Sequence, residues 1–313
     1  MRIAAVVVTH NRPQLLHQAL AALRMQTRAL DALYVVDNAS ADDSAACLGR
    51  AAGATVLRSD TNLGGAGGFA LGMAVAFKAG HDWIWLLDDD ALPRPDALAC
   101  LVAALAGPAA HAGAICGTVR EFGDIALRHR RRFHAWSGIE RPLPRSVYAG
   151  PPCRTASASF VGLLVSAPAV AAVGLPEPAF FLGYDDTDYS LRLGRAGLAL
   201  WLVPASVVEH LRARGARLRA GPFGPRHYFT IRNRIAVARR HGRVPALAGA
   251  TGVLFGIGLW LASRGTLRRG AIRILLRAVA DGWQARLGPF PDVLVRADVP
   301  GPAPPATAPG APP

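Results

Sequence analysis

Lysine is nearly absent from this 313-residue chain: Lys78 stands alone among 35 basic side chains, the others being arginine. Such a bias, with so much alanine and glycine beside it, is what GC-rich coding produces and is not by itself a sign of guanidinium chemistry. Cysteine is scarce too. The four, at positions 47, 100, 116 and 153, show no CxxC spacing, which excludes a paired metal or redox motif and predicts reduced, buried thiols of a cytosolic protein. No heptad or Gly-X-Y period runs through the sequence, so coiled-coil and collagen-like classes fail. The apolar run at residues 3–8 is too short for a signal-peptide core and is closed by His10-Asn11-Arg12. Acidic residues are missing between Glu209 and Asp281. That gap holds fifteen arginines, enough to account for the net charge of +14, and the rest of the chain is close to neutral.

What is present is an apolar majority. With 51% apolar and only 18% charged residues the chain can bury a core, and global disorder is excluded. Up to residue 119 strand-like and helix-like patterns alternate. The β-branched run Ile3–Thr9 reads as a buried strand, and Pro13 opens a helix with Leu15, Leu16, Ala19, Leu20 and Leu23 on one face. Residues 33–37, 55–58, 83–87 and 113–119 read as further strands, and 42–52, 65–79 and 95–105 as helices. This predicts an α/β fold with a mostly parallel sheet and right-handed crossovers. Residues 120–152 break the rhythm, and the basic run Arg128-His129-Arg130-Arg131-Arg132 predicts a mobile loop or a small subdomain. Beyond it, 157–166 reads as one central strand, 180–197 as an acidic cluster leading into a helix, and 198–203 and 206–210 as two short strands. Basic helices at 226–240 and 264–286 flank 244–263, twenty residues without a charge. The organisation predicted is an α/β domain at 1–225, a helical region at 226–288 and a disordered Pro/Ala-rich tail at 289–313.

Five clusters carry chemistry. Asp88-Asp89-Asp90 ends a buried strand, and three adjacent carboxylates repel one another unless a divalent cation neutralises them. Oxygen donors there suit Mg2+ or Mn2+. At the carboxyl end of a parallel sheet such a cluster faces the ligand crevice. Asn62-Leu-Gly-Gly-Ala-Gly-Gly-Phe69 opens a helix, where glycines permit close backbone approach and the helix N-terminus favours phosphate. Its place and spacing are not those of the dinucleotide fingerprint. Thr9-His10-Asn11-Arg12 and Asp37-Asn38 follow the first two strands. A carboxylate there can accept from a pyrimidine imide or a ribose, and Arg12 can reach a base or a phosphate. In Gly183-Tyr-Asp-Asp-Thr-Asp-Tyr-Ser-Leu-Arg192, Asp188 and Arg192 form an i,i+4 pair, while Asp185 or Asp186 at the helix start can serve as a general base. His210 ends a short strand; taken alone, a single histidine there is more often structural than a ligand.

Taken in order, these elements resemble the inverting GT-A glycosyltransferases of family 2, over roughly residues 3–240. Asn62–Phe69 and the acidic helix start look most like the galactofuranosyltransferase and rhamnosyltransferase branch, as do His227-Tyr228-Phe229 with Arg232-Asn233, and Asp281-Gly282 near Gly288. The resemblance implies a GT-A, Rossmann-like fold and a metal-dependent transfer of a sugar, galactofuranose or rhamnose first, from a UDP- or dTDP-linked donor to a glycan or polyprenyl-linked glycan hydroxyl. It implies Asp88, Asp90 and His210 as ligands of Mn2+ or Mg2+, and Asp186 as the base. Thr9, Asn11, Arg12, Asp37, Asn62, Gly64, Gly65, Asp88 and Asp89 would hold the nucleotide sugar.

The rival enzyme class is a nucleotidyltransferase acting on sugar phosphates. It would need a lysine-bearing glycine-rich signature after the first strand, where this chain has Arg12 and no lysine nearby. A nucleic-acid-binding protein is disfavoured because the C-terminal arginines flank an uncharged stretch with no aromatic stacking series. The stretch at 244–263 is long enough to cross a bilayer, yet both its flanks are basic. It therefore predicts a monotopic attachment to an anionic membrane surface, on the inner face of the cytoplasmic membrane, rather than a span.

Overall fold

The computed structural model describes residues 1–211, 222–263 and 269–291. The chain opens as β1 (Ile3–Thr9), α1 (Pro13–Arg24), β2 (Ala32–Asn38), α2 (Ser44–Ala51), β3 (Thr55–Ser59), α3 (Gly64–Lys78), β4 (Trp83–Asp88), β5 (Ala91–Pro93), α4 (Ala97–Leu105) and β6 (Ala112–Glu121). It continues through β7 (Asp124–Ile125), β8 (Arg130–His134), β9 (Ile139–Pro142), β10 (Cys153–Thr155), β11 (Ser157–Ala158), β12 (Leu163–Ser166), α5 (Ala167–Val173), α6 (Asp185–Arg195) and β13 (Ala199–His210). Three helices close it: α7 (Pro225–His241), α8 (Pro245–Ala262) and α9 (Arg269–Trp283). The main sheet has the spatial order β10-β13-β6-β12-β4-β1-β2-β3, with β5 against β13 and β7 against β6. The expected parallel pairing holds for β4-β1-β2-β3 and for β6 with β13, while β12 runs antiparallel between β4 and β6. Helices cover both faces. Leu16, Leu20, Leu98 and Leu101 pack under α1 and α4 on one side, and Phe69, Met73, Tyr189 and Leu193 under α3 and α6 on the other. This is why β1 and β4 read as continuous apolar runs.

Four local expectations are corrected. Residues 157–166 are two strands in different sheets, because the backbone turns at Gly162 (φ +76°) and β11 leaves to pair with β8. Residues 198–210 form one strand, β13, carried past Pro204 by a register shift between Val203 and Val207. Of the two expectations for residues 120–152, the mobile loop falls and the small subdomain holds, since β8 and β9 join β11 in a second sheet. Arg130, Arg131 and Arg132 of the basic run open β8. Arg130 is fully buried and donates to the carbonyls of Gly117, His129 and Val161 at 2.8–2.9 Å. Among the cysteines only Cys116 is buried, and Cys47 lies exposed on the outer side of α2. The tail expected from 289 lies, beyond 291, outside the described residues.

The C-terminal helices are tied to the α/β domain. Glycines bring α8 onto α7: a Cβ at Gly252 would stand 2.9 Å from Ile235, and one at Gly256 2.8 Å from Ile231. Arginines are fastened to aromatic rings across the bundle, Arg239 over Trp283 and Arg234 over Phe255. The large apolar residues of α9 divide, with Leu275 buried and Ile272, Leu276 and Trp283 exposed. Tyr228 donates to Asp281 at 2.8 Å, and a Cβ at Gly282 would meet the Arg232 carbonyl at 2.6 Å. Arg232 donates to the carbonyls of Phe180 and Gly288, and Asn233 Nδ2 lies 2.8–3.1 Å from those of Phe180, Leu182 and Gly183. These contacts clamp the loop that precedes α6. Asn233→Ala is expected to lower stability by ~1–3 kcal/mol, since it strips donors from buried carbonyls; urea unfolding measures it.

Candidate active site

The site forms where β1, β2 and β4 end. Thr9, the last residue of β1, donates through Oγ1 to Asp89 Oδ2 at 2.8 Å. Arg12 Nη1 bridges Asp89 Oδ1 and Asp90 Oδ2, 3.2 Å from each. Both oxygens of Asp89 are thus engaged by protein, and the residue braces the β4 turn. His210 arrives because β13 runs antiparallel to β5, placing His210 opposite Ala91. Its Nε2 lies 3.1 Å from Asp90 Oδ1, and its Nδ1 lies 2.8 Å from Glu121 Oε1. Donor atoms of Asp88, Asp90 and His210 lie within 4.8 Å of one another, across about 120 residues of sequence.

Electrostatics shows the strain of that gathering. Burial, and then the charge of Asp90, pushes Asp88 up to about 7. Burial alone would lower His210, but its contacts with Asp90 and Glu121 push it up to about 10. Asp90 Oδ1 is buried without a well-formed hydrogen bond of its own. An unsatisfied carboxylate oxygen, a second carboxylate beside it and an imidazole nitrogen facing both make a donor set that fits a divalent cation.

A second group forms the neighbouring rim. Asp37 is fully buried at the end of β2. Its Oδ1 accepts from the Ser40 amide at 3.0 Å, and Oδ2 has no hydrogen-bond partner among the described residues. Asn62 Oδ1 accepts from Asn38 Nδ2 and from the Gly64 amide, and Asn38 in turn accepts from the Leu63 amide and donates to the Gly64 carbonyl. This lattice fixes the glycine turn. Gly64 sits at φ +70°, and a Cβ there would fall 2.0 Å from the Phe181 carbonyl oxygen, so no other residue fits. Gly65 faces open space. Asn11, at φ 55°, ties to the β2 loop through Ser40 and Ala41. Of the residues singled out from sequence, Thr9, Arg12, Asp88, Asp89, Asp90 and His210 meet in one cluster, while Asn11, Asp37, Asn62, Gly64 and Gly65 line the second.

The acidic pair opens α6 after left-handed residues at Gly183 and Tyr184. Asp185 is buried and raised well above the usual carboxylate range by burial and by Asp186, with a further contribution from Asp88. Asp186 is also raised, by burial opposed by Arg131. It keeps 18% of its side chain exposed, and its Oδ1 accepts from the Thr187 amide. Arg131 stands 3.8 Å from Asp186 Oδ2, 2.8 Å from Thr187 Oγ1 and 3.2 Å from Glu140 Oε1. Arg234 of α7 joins through Glu140 and the Tyr184 hydroxyl. The basic insertion, to which the sequence reading gave no part in the site, therefore reaches Asp186 through Arg131. Glu121, His129, Arg131 and Glu140 were missed. The signals that could have found them are Glu121 at the end of a β-strand and the polar residues scattered through an insertion that breaks the fold's rhythm.

The chain belongs to glycosyltransferase family 2: the family model, Glycosyl transferase family 2, matches residues 4–164. It is 35% identical over 261 residues to galactofuranosyltransferase GlfT1 of Mycobacterium tuberculosis, covering 79% of this chain and 85% of that one. To the protein of the same name in Mycolicibacterium smegmatis it is 35% identical over 248 residues, 74% and 81% of the two chains. In fold it resembles S. aureus TarS residues 1–349, solved with UDP-GlcNAc, at TM-score 0.57 and 14% identity, covering 94% and 83% of the two chains. It also resembles GalNAc-T7, solved with UDP, GalNAc and Mn2+, at TM-score 0.57 and 15% identity, covering 82% of this chain and about half, 54%, of that one. Both the GT-A fold and the glycosyltransferase class stand on these findings, and the nucleotidyltransferase alternative falls.

One part of the acidic helix start is structural. Asp188 is fully buried and meets Arg192 Nε and Arg240 Nη1 at 3.0 Å and His241 Nε2 at 2.8 Å. Burial would raise its pKa, but the His241 hydrogen bond and the Arg240 charge outweigh that and lower it. A carboxylate with a depressed native pKa contributes stability above its unfolded pKa and loses it as pH falls through the native one. Asp188→Asn is expected to cost ~3–5 kcal/mol at neutral pH by taking the shared buried carboxylate from Arg192, Arg240 and His241, and to flatten the fall in stability on acidification. Urea unfolding at a series of pH values checks both.

Proposed function

We propose that this protein is a metal-dependent inverting glycosyltransferase. It moves one sugar, galactofuranose before rhamnose, from a UDP- or dTDP-linked donor to a hydroxyl of a glycan or polyprenyl-linked glycan. The observation that carries the reading is the convergence of Asp88, Asp90 and His210 beside the Asp185-Asp186 pair, within reach of one another's charge. The similarity to galactofuranosyltransferases supports the choice of sugar.

Asp88, Asp90 and His210 would hold Mn2+ or Mg2+, which when bound supplies positive charge against the departing diphosphate. Arg12, anchored between Asp89 and Asp90, adds charge on the same side. Asp37, whose buried Oδ2 has only the Arg58 guanidinium 3.8 Å away and no hydrogen bond among the described residues, and the turn at Asn62, Gly64 and Gly65 hold the nucleoside and the diphosphate. Thr9 and Asn11 fix the walls between them. Asp186 takes the proton from the acceptor hydroxyl as that oxygen attacks the anomeric carbon. One displacement from the face opposite the leaving group inverts the configuration, without a covalent enzyme intermediate. Asp186 suits the role because it is the accessible member of the pair, and Arg131 and Thr187 hold its orientation.

Asp186→Asn is expected to retain donor binding and to cut turnover by on the order of 10²–10⁴. Assays with a panel of nucleotide sugars and Mn2+, UDP-galactofuranose first, test both donor and base. Near-normal turnover in that variant, with loss in Asp185→Asn, would transfer the role to Asp185.

The C-terminal helices supply the membrane reading. α8 is long and apolar enough to cross a bilayer, with mean hydropathy 1.6, yet only 28% of it is buried. Leu247, Leu254 and Leu261 recur at seven-residue spacing along one exposed stripe, and Ile272, Leu276 and Trp283 form another on α9. Arg243 before α8, and Arg269 and Arg273 on α9, provide charge for anionic headgroups. This favours a peripheral attachment at the inner face of the cytoplasmic membrane, bringing the site to a lipid-linked acceptor. Sedimentation with anionic vesicles should capture the full chain. Leu254→Glu with Leu261→Glu should release it while transfer to a short soluble acceptor stays within about twofold. An unchanged soluble fraction for the wild-type chain refutes the attachment.

A further inference from the structure

Glu121, the last residue of β6, directs one oxygen at two imidazoles. Its Oε1 lies 2.8 Å from His210 Nδ1 and 3.1 Å from His129 Nε2. An ionised carboxylate oxygen only accepts, so both nitrogens donate to it. The remaining nitrogen of His129, Nδ1, faces Ser159 Oγ at 2.7 Å, and Ser159 Oγ also receives Arg130 Nη1 at 3.3 Å. With the arginine donating to the hydroxyl, the hydroxyl proton is free to point at His129. The directions therefore run one way, from Arg130 through Ser159 and His129 to Glu121. Arg130 itself is fixed, fully buried among backbone carbonyls.

The consequence falls on His210. With Nδ1 committed as a donor to Glu121, its Nε2 is the nitrogen turned toward Asp90 and Asp88. We propose that Glu121 is a positioning residue, supported by His129 and Ser159, that fixes the tautomer and ring orientation of His210 so that Nε2 presents its lone pair to the divalent ion held with Asp88 and Asp90. The inference rests on the metal-dependent reading above and gives the 128–132 insertion a role as the outer wall of the metal site. Donor atoms of Glu121, His129 and His210 also lie within 4.8 Å of one another. An ion among them would have to displace both hydrogen bonds to Glu121 and, by taking the Nδ1 lone pair of His210, would leave the proton on Nε2 and no lone pair for an ion beside Asp90, so a second cation site there is disfavoured.

The test uses the full-length chain stripped of metal and titrated with Mn2+ alone, following free Mn2+ by electron paramagnetic resonance. The bound ion is then examined for 14N coupling to an imidazole. The wild type should bind one Mn2+ with nitrogen coupling, and His210→Ala should lose that coupling. Glu121→Ala should weaken Mn2+ by ~10–100-fold, the usual effect of removing an outer partner of a ligating histidine, and should diminish the 14N signal. Glu121→Gln, which keeps an accepting oxygen, should recover part of both. Thermal melts without metal establish that each variant is folded; if Glu121→Ala is not, Glu121→Gln and His129→Asn carry the same comparison. Unchanged affinity and coupling in folded Glu121 variants overturn the positioning role alone. Two ions per chain would make Glu121 a ligand and overturn it as well. Failure of the wild type to bind Mn2+ refutes the metal reading itself, and this role with it.

Discussion

The mutual repulsion of acidic side chains at one end of the sheet is the constraint around which the rest of this molecule is arranged. Asp88, Asp89 and Asp90 follow one another at the end of β4, and the charges of Asp185 and Asp88 are felt by each other across the crevice. Left to themselves, buried carboxylates take up protons, as the upward displacement of Asp88 and Asp185 records. The fold answers with cations held by separate elements: Arg12 from the turn after β1, His210 from β13 and Arg131 from β8. Each neutralises only part of the cluster. What remains is an excess of negative charge at the end of β4, which the proposed divalent ion would neutralise.

The same constraint explains why the C-terminal helices pack onto the loop before α6. The acid pair opens α6 directly after a loop with left-handed residues at Phe181, Gly183 and Tyr184, a shape the loop would not keep unaided. From one side Gly64 and Ala66 pack against the Phe181 carbonyl, and from the other Asn233 and Arg232 of α7 gather the loop's carbonyls. The Tyr228, Arg232, Asn233, Asp281 and Gly282 elements then read as one device, since each either touches this loop or closes α9 onto α7. The arginines of this region divide accordingly: Arg232 is buried in the clamp, whereas Arg239 and Arg243 lie over tryptophans near the apolar stripes.

Much of this was legible in the residue order, because parallel sheets place their ligands at strand ends and strand ends are marked by abrupt changes from apolar to polar. Thr9, Asp37 and Asp88 are each the first polar residue met at or near the end of an apolar strand, and the structure finds them together. The Asp188–Arg192 pair followed from helical spacing and is present at 3.0 Å. Less legible was anything depending on a strand changing partners. Residues 157–166 look like one apolar strand because burial, not sheet membership, sets their composition. The bend at Gly162 that separates β11 from β12 has no hydrophobic signature.

The sequence by itself determined the order of strands and helices, the cluster of carboxylates and the separation of an apolar, arginine-rich end, since all three follow from local pattern and composition. Only the tertiary structure decided which distant groups complete the site. His210 meets Asp90 because β13 pairs antiparallel with β5, and Glu121 meets His210 because β6 pairs parallel with β13. The basic run at 128–132 reads in sequence as a mobile loop or a small subdomain, and nothing in it marks Arg130 as buried among carbonyls or Arg131 as spent on Glu140 and Asp186. Charge alone predicts exposure; only partners supplied by other elements can hold a guanidinium inside, and those partners are fixed by topology rather than by neighbouring residues.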